Sequence, residues 1–241
     1  MAWNSDNQKS ILKNLNPNVS VDCVVFGFDN EQLNVLLIEQ KLNNRDSIQC
    51  ALPGDLITDD ESLDEAASRV LQELTELEGI FLKQLKAFGD PNRVKDVKDM
   101  EWLQSYREAP QARVITVVYL SLIKMEGFKP EASSFAERVF WCAIDEIPSL
   151  AFDHNKIIDE ALQRLRNDFE NHNTGFELLP KNFTLSQIQS LYEILLSRKL
   201  DKRNFRKKLL KDNIVQPTGK KQKGVLHKPA QLYEITKNLD K

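Results

Sequence analysis

The side chains best equipped for recognition chemistry cluster near the end of the chain. Arg203, Asn204, Lys207, Lys208 and Lys211 share one arc of a helical wheel at about 100° per residue, while Phe205 and Leu209 point the other way. In a DNA major groove, Arg grips guanine bidentately, Asn grips adenine, and Lys neutralises phosphate. Lys220, Lys221, Lys223 and Lys228 follow in the basic stretch QPTGKKQKGVLHKPA, which suits an adjacent groove or the sugar–phosphate backbone. A solvated basic helix, an RNA contact and an acidic protein partner are the competing readings of the same charges.

Other reactive residue types are scattered. Cys23, Cys50 and Cys142 form no C-x-x-C pair, and His154, His172 and His227 are far apart in sequence. A zinc site is therefore not expected, and reduced, buried thiols are.

These groups need elements to position them. The chain of 241 residues is 41% apolar and 29% charged, an ordinary globular composition for one large domain or two modest ones. No apolar run approaches the roughly 20 residues that span a bilayer, and MAWNSDNQKS has no basic-then-apolar leader. A cytoplasmic location without a membrane partner is expected. The net charge of −3 hides an asymmetry, because residues 171–241 hold 15 Lys and Arg against 6 Asp and Glu. An acidic body with a basic C-terminal segment predicts that the tail meets a polyanion.

Val19–Phe28 and Leu33–Gln40 are rich in β-branched residues and flank Asp29–Gln32, which predicts a hairpin. A third short strand is expected at Ile48–Leu52, stopped by Pro53–Gly54. Ser62 and Glu65 form a capping box that opens a helix to about Leu77. Its stripe is Leu63, Ala66, Ala67, Val70, Leu71, Leu74 and Leu77, and Gly79 is placed to end it. Residues 92–110 read as a long polar loop. Arg113–Lys124 and Arg138–Ala143 read as strands, and Asn155–Phe169 as a helix with Asp153 as its N-cap. A short helix around Ser10–Leu15 completes the first part.

Beyond a linker at His172–Pro180, Thr184 and Gln187 form a second capping box, and Phe183 with Ile188 a hydrophobic staple. Leu185, Ile188, Leu191, Tyr192 and Leu195 make that helix apolar on one side. A second helix runs from about Asp201 to Lys211, and Ile214–Val215 and Gln231–Ile235 flank the basic stretch. Two helices and a basic hairpin are the grammar of a winged helix-turn-helix. The expected fold class is α+β, with domains at residues 15–170 and 176–241.

The stretch LPGDLITDDESLDEAASRVLQELTELEGI (Leu52–Ile80) resembles the Nudix signature, G-x5-E-x7-R-E-U-x-E-E-x-G-U. That motif stacks carboxylates on a helix to hold Mg²⁺ against a diphosphate, which requires several hard oxygen ligands at once. In one register Glu61 and Arg69 match, Asp55 stands at the first glycine, and the ligand positions fall on Val70, Glu73 and Leu74. A second register matches Glu73, Glu76, Gly79 and Ile80 but replaces the arginine by Gln72 and the last ligand by Leu77. Neither register supplies all three carboxylates, so loss of diphosphate hydrolysis is expected, with no catalytic residue, metal or cofactor.

Together with LAFDHNKIIDEALQRLR (Leu150–Arg166) and FELLPKNFTLSQIQSLYEILLSRKLDKRNFRKKLL (Phe176–Leu210), this box resembles the Nudix-related transcriptional regulators over roughly residues 15–236. The resemblance implies a Nudix-like α/β/α sensor domain followed by a winged helix, in a homodimer that represses from palindromic double-stranded operators. It implies a small-molecule effector that weakens DNA binding, either ADP-ribose in regulators of NAD metabolism or a sugar. The chain looks most like the arabinose-responsive regulators of Bacteroides, so a pentose, L-arabinose, is the expected effector. A Nudix hydrolase with a nucleic-acid-binding tail is the rival. In Nudix domains the ligand lies between the hairpin, the Nudix loop and the long loop opposite. There this sequence offers the carboxylates Asp22, Glu39 and Asp55, which suit sugar hydroxyls, and the cation Arg93, which suits ADP-ribose. Plain readings compete: Asp22 and Glu39 as solvent-facing strand residues, Asp55 as a turn residue, Arg69 as a helix surface pair with Glu73 or Glu65, and His154 as a helix-start or interface residue.

Overall fold

The computed structural model describes residues 15–41, 48–94, 96–104, 107, 109–172, 175–224 and 228–236. The helix expected around Ser10–Leu15 lies, but for Leu15, outside them. The described residues up to Gly27 and from Asn34 to Ala161 make one compact unit. Phe28–Leu33 and the residues after Ala161 make the other.

The first unit is built on a seven-stranded sheet. Strands β1 (Leu15–Phe28) and β2 (Leu33–Lys41) form the expected hairpin around Asp29, whose carboxylate accepts from the amides of Glu31 and Gln32 at 2.8 Å each, an Asx-type turn. Next come β3 (Ile48–Ala51), β4 (Gly54–Thr58), β5 (Lys83–Phe88), β6 (Ile115–Lys124) and β7 (Arg138–Ala143). The order is β3-β2-β1-β6-β5, with β4 pairing β1 and β7 pairing β2. Pro53–Gly54 does not stop the sheet: β4 starts at Gly54, directly opposite Asp22.

Helix α1 (Leu63–Thr75) opens with the Ser62–Glu65 capping box and buries Ala66, Ala67, Val70, Leu71 and Leu74. Burying each of the larger aliphatic side chains stabilises by about 1.5–3 kcal/mol, so this stripe anchors the helix to the β1–β2 core. The helix ends before the expected Gly79, because Glu76 adopts a left-handed conformation at φ 55° and caps it. Leu77 stays buried although it lies beyond the helix. The expected polar loop at 92–110 contains helix α2 (Val97–Gln104), anchored by buried Trp102 and Leu103. Helix α3 (His154–His172) follows β7, and the boundary between the two units falls within it.

In the second unit α4 (Leu185–Leu195) begins at the Thr184–Gln187 capping box, and α5 (Lys202–Lys211) at Asp201, whose carboxylate accepts from the Asn204 amide at 2.7 Å. Both halves of the staple, Phe183 and Ile188, are buried. Strands β8 (Val215–Lys221) and β9 (Gln231–Ile235) pair antiparallel, and Phe183 bridges to Tyr233 on β9. Among the described residues no helix is long and apolar enough to cross a membrane.

Candidate effector cleft and nucleic-acid interface

Three of the four expected effector residues converge. Asp22 from β1, Asp55 from β4 and Arg93 from the turn after β5 line one narrow cleft with Leu52, Trp102, Arg107, Phe152 and His154. The cleft is tight, with about 30 Å³ of free volume. Glu39 lies outside it. The register of β2 sets Glu39 opposite Cys50 and Arg138, and its carboxylate pairs with Arg138 Nη1 at 3.0 Å.

Arg93 is the electrostatic centre of the cleft. Its side chain is 5% exposed; Nη2 lies 2.8 Å from Asp153 Oδ1 and 3.4 Å from Asp22 Oδ2. The Leu52 amide donates to His154 Nδ1 at 2.9 Å, and Nε2 faces Asp22 Oδ2 at 3.6 Å. Burial alone would raise the Asp22 carboxyl, but His154 and Arg93 outweigh it and hold the group at about 2. Asp55 goes the opposite way. Burial pushes it up to about 6, only partly offset by its bond to the Leu56 amide and by the charges of Arg107 and Arg69. The cleft therefore holds one firmly ionised carboxylate and one poised to bind a proton.

Sequence reasoning missed the partners supplied by the α2 and α3 segments. Asp153 does not simply cap a helix; it holds Arg93. Asp99 on α2 accepts from the Phe152 amide at 2.8 Å and so fixes a cleft-lining ring. The helical period within 97–104 was the available signal, but it spans only two buried apolar residues.

The α1 geometry selects the first Nudix register. Arg69 Nε and Nη2 grip the Glu61 carboxylate at 2.8 and 2.7 Å, Nη2 reaches Leu56 O at 3.1 Å, and Nη1 reaches Glu73 at 2.9 Å. Arg69 is thus a clasp between the loop and the helix rather than a partner of Glu65, which the capping box occupies. Val70 and Leu74, at two ligand positions, are core residues, and Glu73 is spent on Arg69. One engaged carboxylate does not fit Mg²⁺, which needs several anionic oxygens. Among the described residues no group of three His, Cys, Asp or Glu is placed to hold a metal.

On the second unit, Arg203, Asn204, Lys207, Lys208 and Lys211 are all exposed along α5. Leu209 is buried, and Phe205 packs against Tyr192 with ring centroids 5.2 Å apart. Arg206 ties α5 to α4 through a 2.9 Å bond from Nη2 to Ser186 Oγ. Lys220 and Lys221 are exposed on β8, and Lys223 just beyond it. The first half of the basic stretch is strand rather than loop. Gly219 at φ 74°, within a register shift between Pro217 and Lys221, lets the strand turn its lysines outward.

Family models match both units: the NUDIX domain over residues 16–165, and the NrtR DNA-binding winged helix domain over residues 175–235. The chain is 30% identical over 223 residues to the ADPR responsive transcriptional repressor NtrR of Acinetobacter baylyi, covering 91% of this chain and 82% of that protein. It resembles the crystal structure of Shewanella oneidensis NrtR complexed with a 27mer DNA, with a TM-score of 0.64 and 27% identity, covering 90% of this chain and 93% of that one. An ADP-ribose pyrophosphatase of Methanocaldococcus jannaschii is 27% identical over 149 residues, 62% of this chain and 75% of that protein. A degenerate Nudix unit followed by a winged helix with an exposed basic face thus places this chain in the family of NrtR-type Nudix regulators.

Proposed function

We propose that this protein is a transcriptional repressor that binds double-stranded DNA through α5 and the β8–β9 wing, senses ADP-ribose in the cleft, and does not hydrolyse it. The observation that carries the reading is the pairing of an exposed cationic helix with a Nudix unit in which two of the three ligand positions, Val70 and Leu74, have become core. Similarity to an ADPR responsive repressor over 91% of the chain favours ADP-ribose over the L-arabinose expected from sequence, and with it removes the reason to assign the protein to sugar catabolism. Effector control of DNA binding requires that ADP-ribose bind the released state more tightly than the DNA-bound one. The protein acts as a cytoplasmic homodimer, whose two-fold symmetry matches a palindromic operator.

A pentose is the second reading, and one feature favours it. Arg93 is already shared between Asp22 and Asp153, so a diphosphate meets two carboxylates with their cation engaged, whereas sugar hydroxyls can donate to Asp22 and Asp55.

A thermal-shift panel with ADP-ribose, NAD, L-arabinose and hexoses, paired with operator binding by fluorescence anisotropy, separates these readings. A ligand at 100 times its Kd adds about 2.7 kcal/mol. Stabilisation by ADP-ribose with weakened DNA binding is expected. Stabilisation by L-arabinose alone replaces the effector. Release of AMP and ribose phosphate from ADP-ribose with Mg²⁺ or Mn²⁺ would overturn the non-hydrolytic reading.

A further inference from the structure

The winged-helix unit contains a groove of about 350 Å³ that the effector cleft does not explain. Its size is that of ordinary small-molecule sites, roughly 300–1,000 Å³. Phe169, Tyr192, Phe205 and Leu209 form its apolar walls, and Asn204 and Lys208 stand among its lining residues. Tyr192 meets Phe169 edge-on at 5.6 Å and Phe205 at 5.2 Å between ring centroids.

Two features of this groove ask for a ligand. Tyr192 is 6% exposed, yet its hydroxyl, closed off from solvent, has no hydrogen-bond partner. Buried phenols ordinarily find one, and an orphaned buried polar group is costly. Burial pushes its pKa up to about 12, so the group remains a neutral donor across the physiological range. The second feature is charge. Arg198 is matched by Glu170, and Asp201 is committed to capping α5, whereas Lys208 makes no ion pair among the described residues. A flat apolar body, an acceptor for the Tyr192 hydroxyl and a negative charge for Lys208 are together the description of an aromatic carboxylate.

We propose that this groove is a second small-molecule site, taking an aromatic monocarboxylate, and that its occupant competes with DNA. Competition follows because Asn204 and Lys208 belong both to the groove and to the exposed face of α5. Entry of the ligand includes a side-chain adjustment that uncovers the Tyr192 hydroxyl. The binding half is independent of the regulator reading, and the competition half rests on it.

The test uses the full chain with benzoate as probe and benzamide as its uncharged counterpart, at millimolar concentration. Benzoate is expected to raise Tm without DNA present and benzamide to do so less, and the shift is expected to be lost in both Tyr192→Phe and Lys208→Gln. Benzoate is also expected to lower DNA affinity in the wild type and not in Tyr192→Phe. Circular dichroism checks that both variants fold; Tyr192→Phe keeps the ring, and Lys208→Gln changes an exposed position. No benzoate shift, an equal benzamide shift, or a shift unchanged in Tyr192→Phe overturns the site. A benzoate shift with unaltered DNA affinity overturns the competition alone. A wild type that binds no DNA with or without benzoate instead sinks the regulator reading.

Discussion

Arg93 and Asp153 are joined by two nitrogens: Nε at 3.1 Å and Nη2 at 2.8 Å both reach Asp153 Oδ1. The fork is filled on that side, and the same Nη2 is all that Arg93 offers to Asp22. Arg93→Met leaves two carboxylates around a mostly apolar gap. Removing one partner of a buried pair costs about 3–5 kcal/mol, so a large fall in Tm is expected at neutral pH.

Asp22 makes stability acid-sensitive. Its folded pKa of about 2 lies below the ordinary 3.8, so its contribution is fully present above about pH 4 and is lost as pH falls towards 2. The shift corresponds to about 2 kcal/mol. Urea titrations of the wild type and Asp22→Asn between pH 2 and 5 are expected to converge at the acid end.

Asp55 has the opposite sign. Its folded pKa of about 6 exceeds the ordinary 3.8, so ionising it in place destabilises the fold as pH rises from 4 through 6. Asp55→Asn keeps an acceptor for the Leu56 amide, and is expected to be more stable than the wild type by roughly 1–3 kcal/mol at pH 7. The two proteins are expected to coincide near pH 4. The same variant is expected to weaken effector binding, read by calorimetry.

Gly54 faces Asp22 so closely that a Cβ there would stand 2.0 Å from Asp22 Oδ1. Gly54→Ala must therefore displace a buried carboxylate from the Arg93 and His154 side. The expected result is a loss of effector affinity together with a Tm drop, at a position that carries no functional group of its own.

On the second unit, Lys220→Ala and Lys221→Ala are expected to weaken binding to specific and unrelated DNA alike. Each is expected to lower the slope of log K against log[salt] by about 0.9 per lost phosphate contact. Arg203→Ala is expected instead to relax sequence preference, measured with single-base operator variants. Effector affinity stays intact in all three.

Where local chemistry was decisive, the sequence was readable. Ser62–Glu65 and Thr184–Gln187 form the reciprocal bonds that their spacing implies, and β7 has the bounds that its apolar run suggests. Strand β5 escaped because it sits at the edge of the sheet, so Lys83, Gln84, Lys86 and Ala87 are exposed and the apolar alternation is blunted. Helix α2 escaped because only Trp102 and Leu103 supply its apolar anchor. The cleft was legible in part, since Asp22, Asp55 and Arg93 carry recognisable chemistry. Their meeting with Asp153 and His154 is made by tertiary packing across sequence separations of 60 residues and more, which no local pattern encodes. Glu39 shows the converse: a suitable carboxylate on a suitable strand, turned by register towards Arg138 instead.

The lysines of the wing have a further consequence. Among the described residues the β8–β9 ribbon has two strands, and β9 also bridges to Phe183, which leaves β8 as the open flank. Pro217 withholds an amide there, and Lys220 and Lys221 place charge along it, as natural edge strands do to discourage another chain from adding itself. Stripping those charges therefore invites aggregation as well as weaker DNA contacts. Lys→Glu reversals abolish attraction to phosphate while keeping the flank charged, so a reversed protein should remain soluble where a neutralised one self-associates.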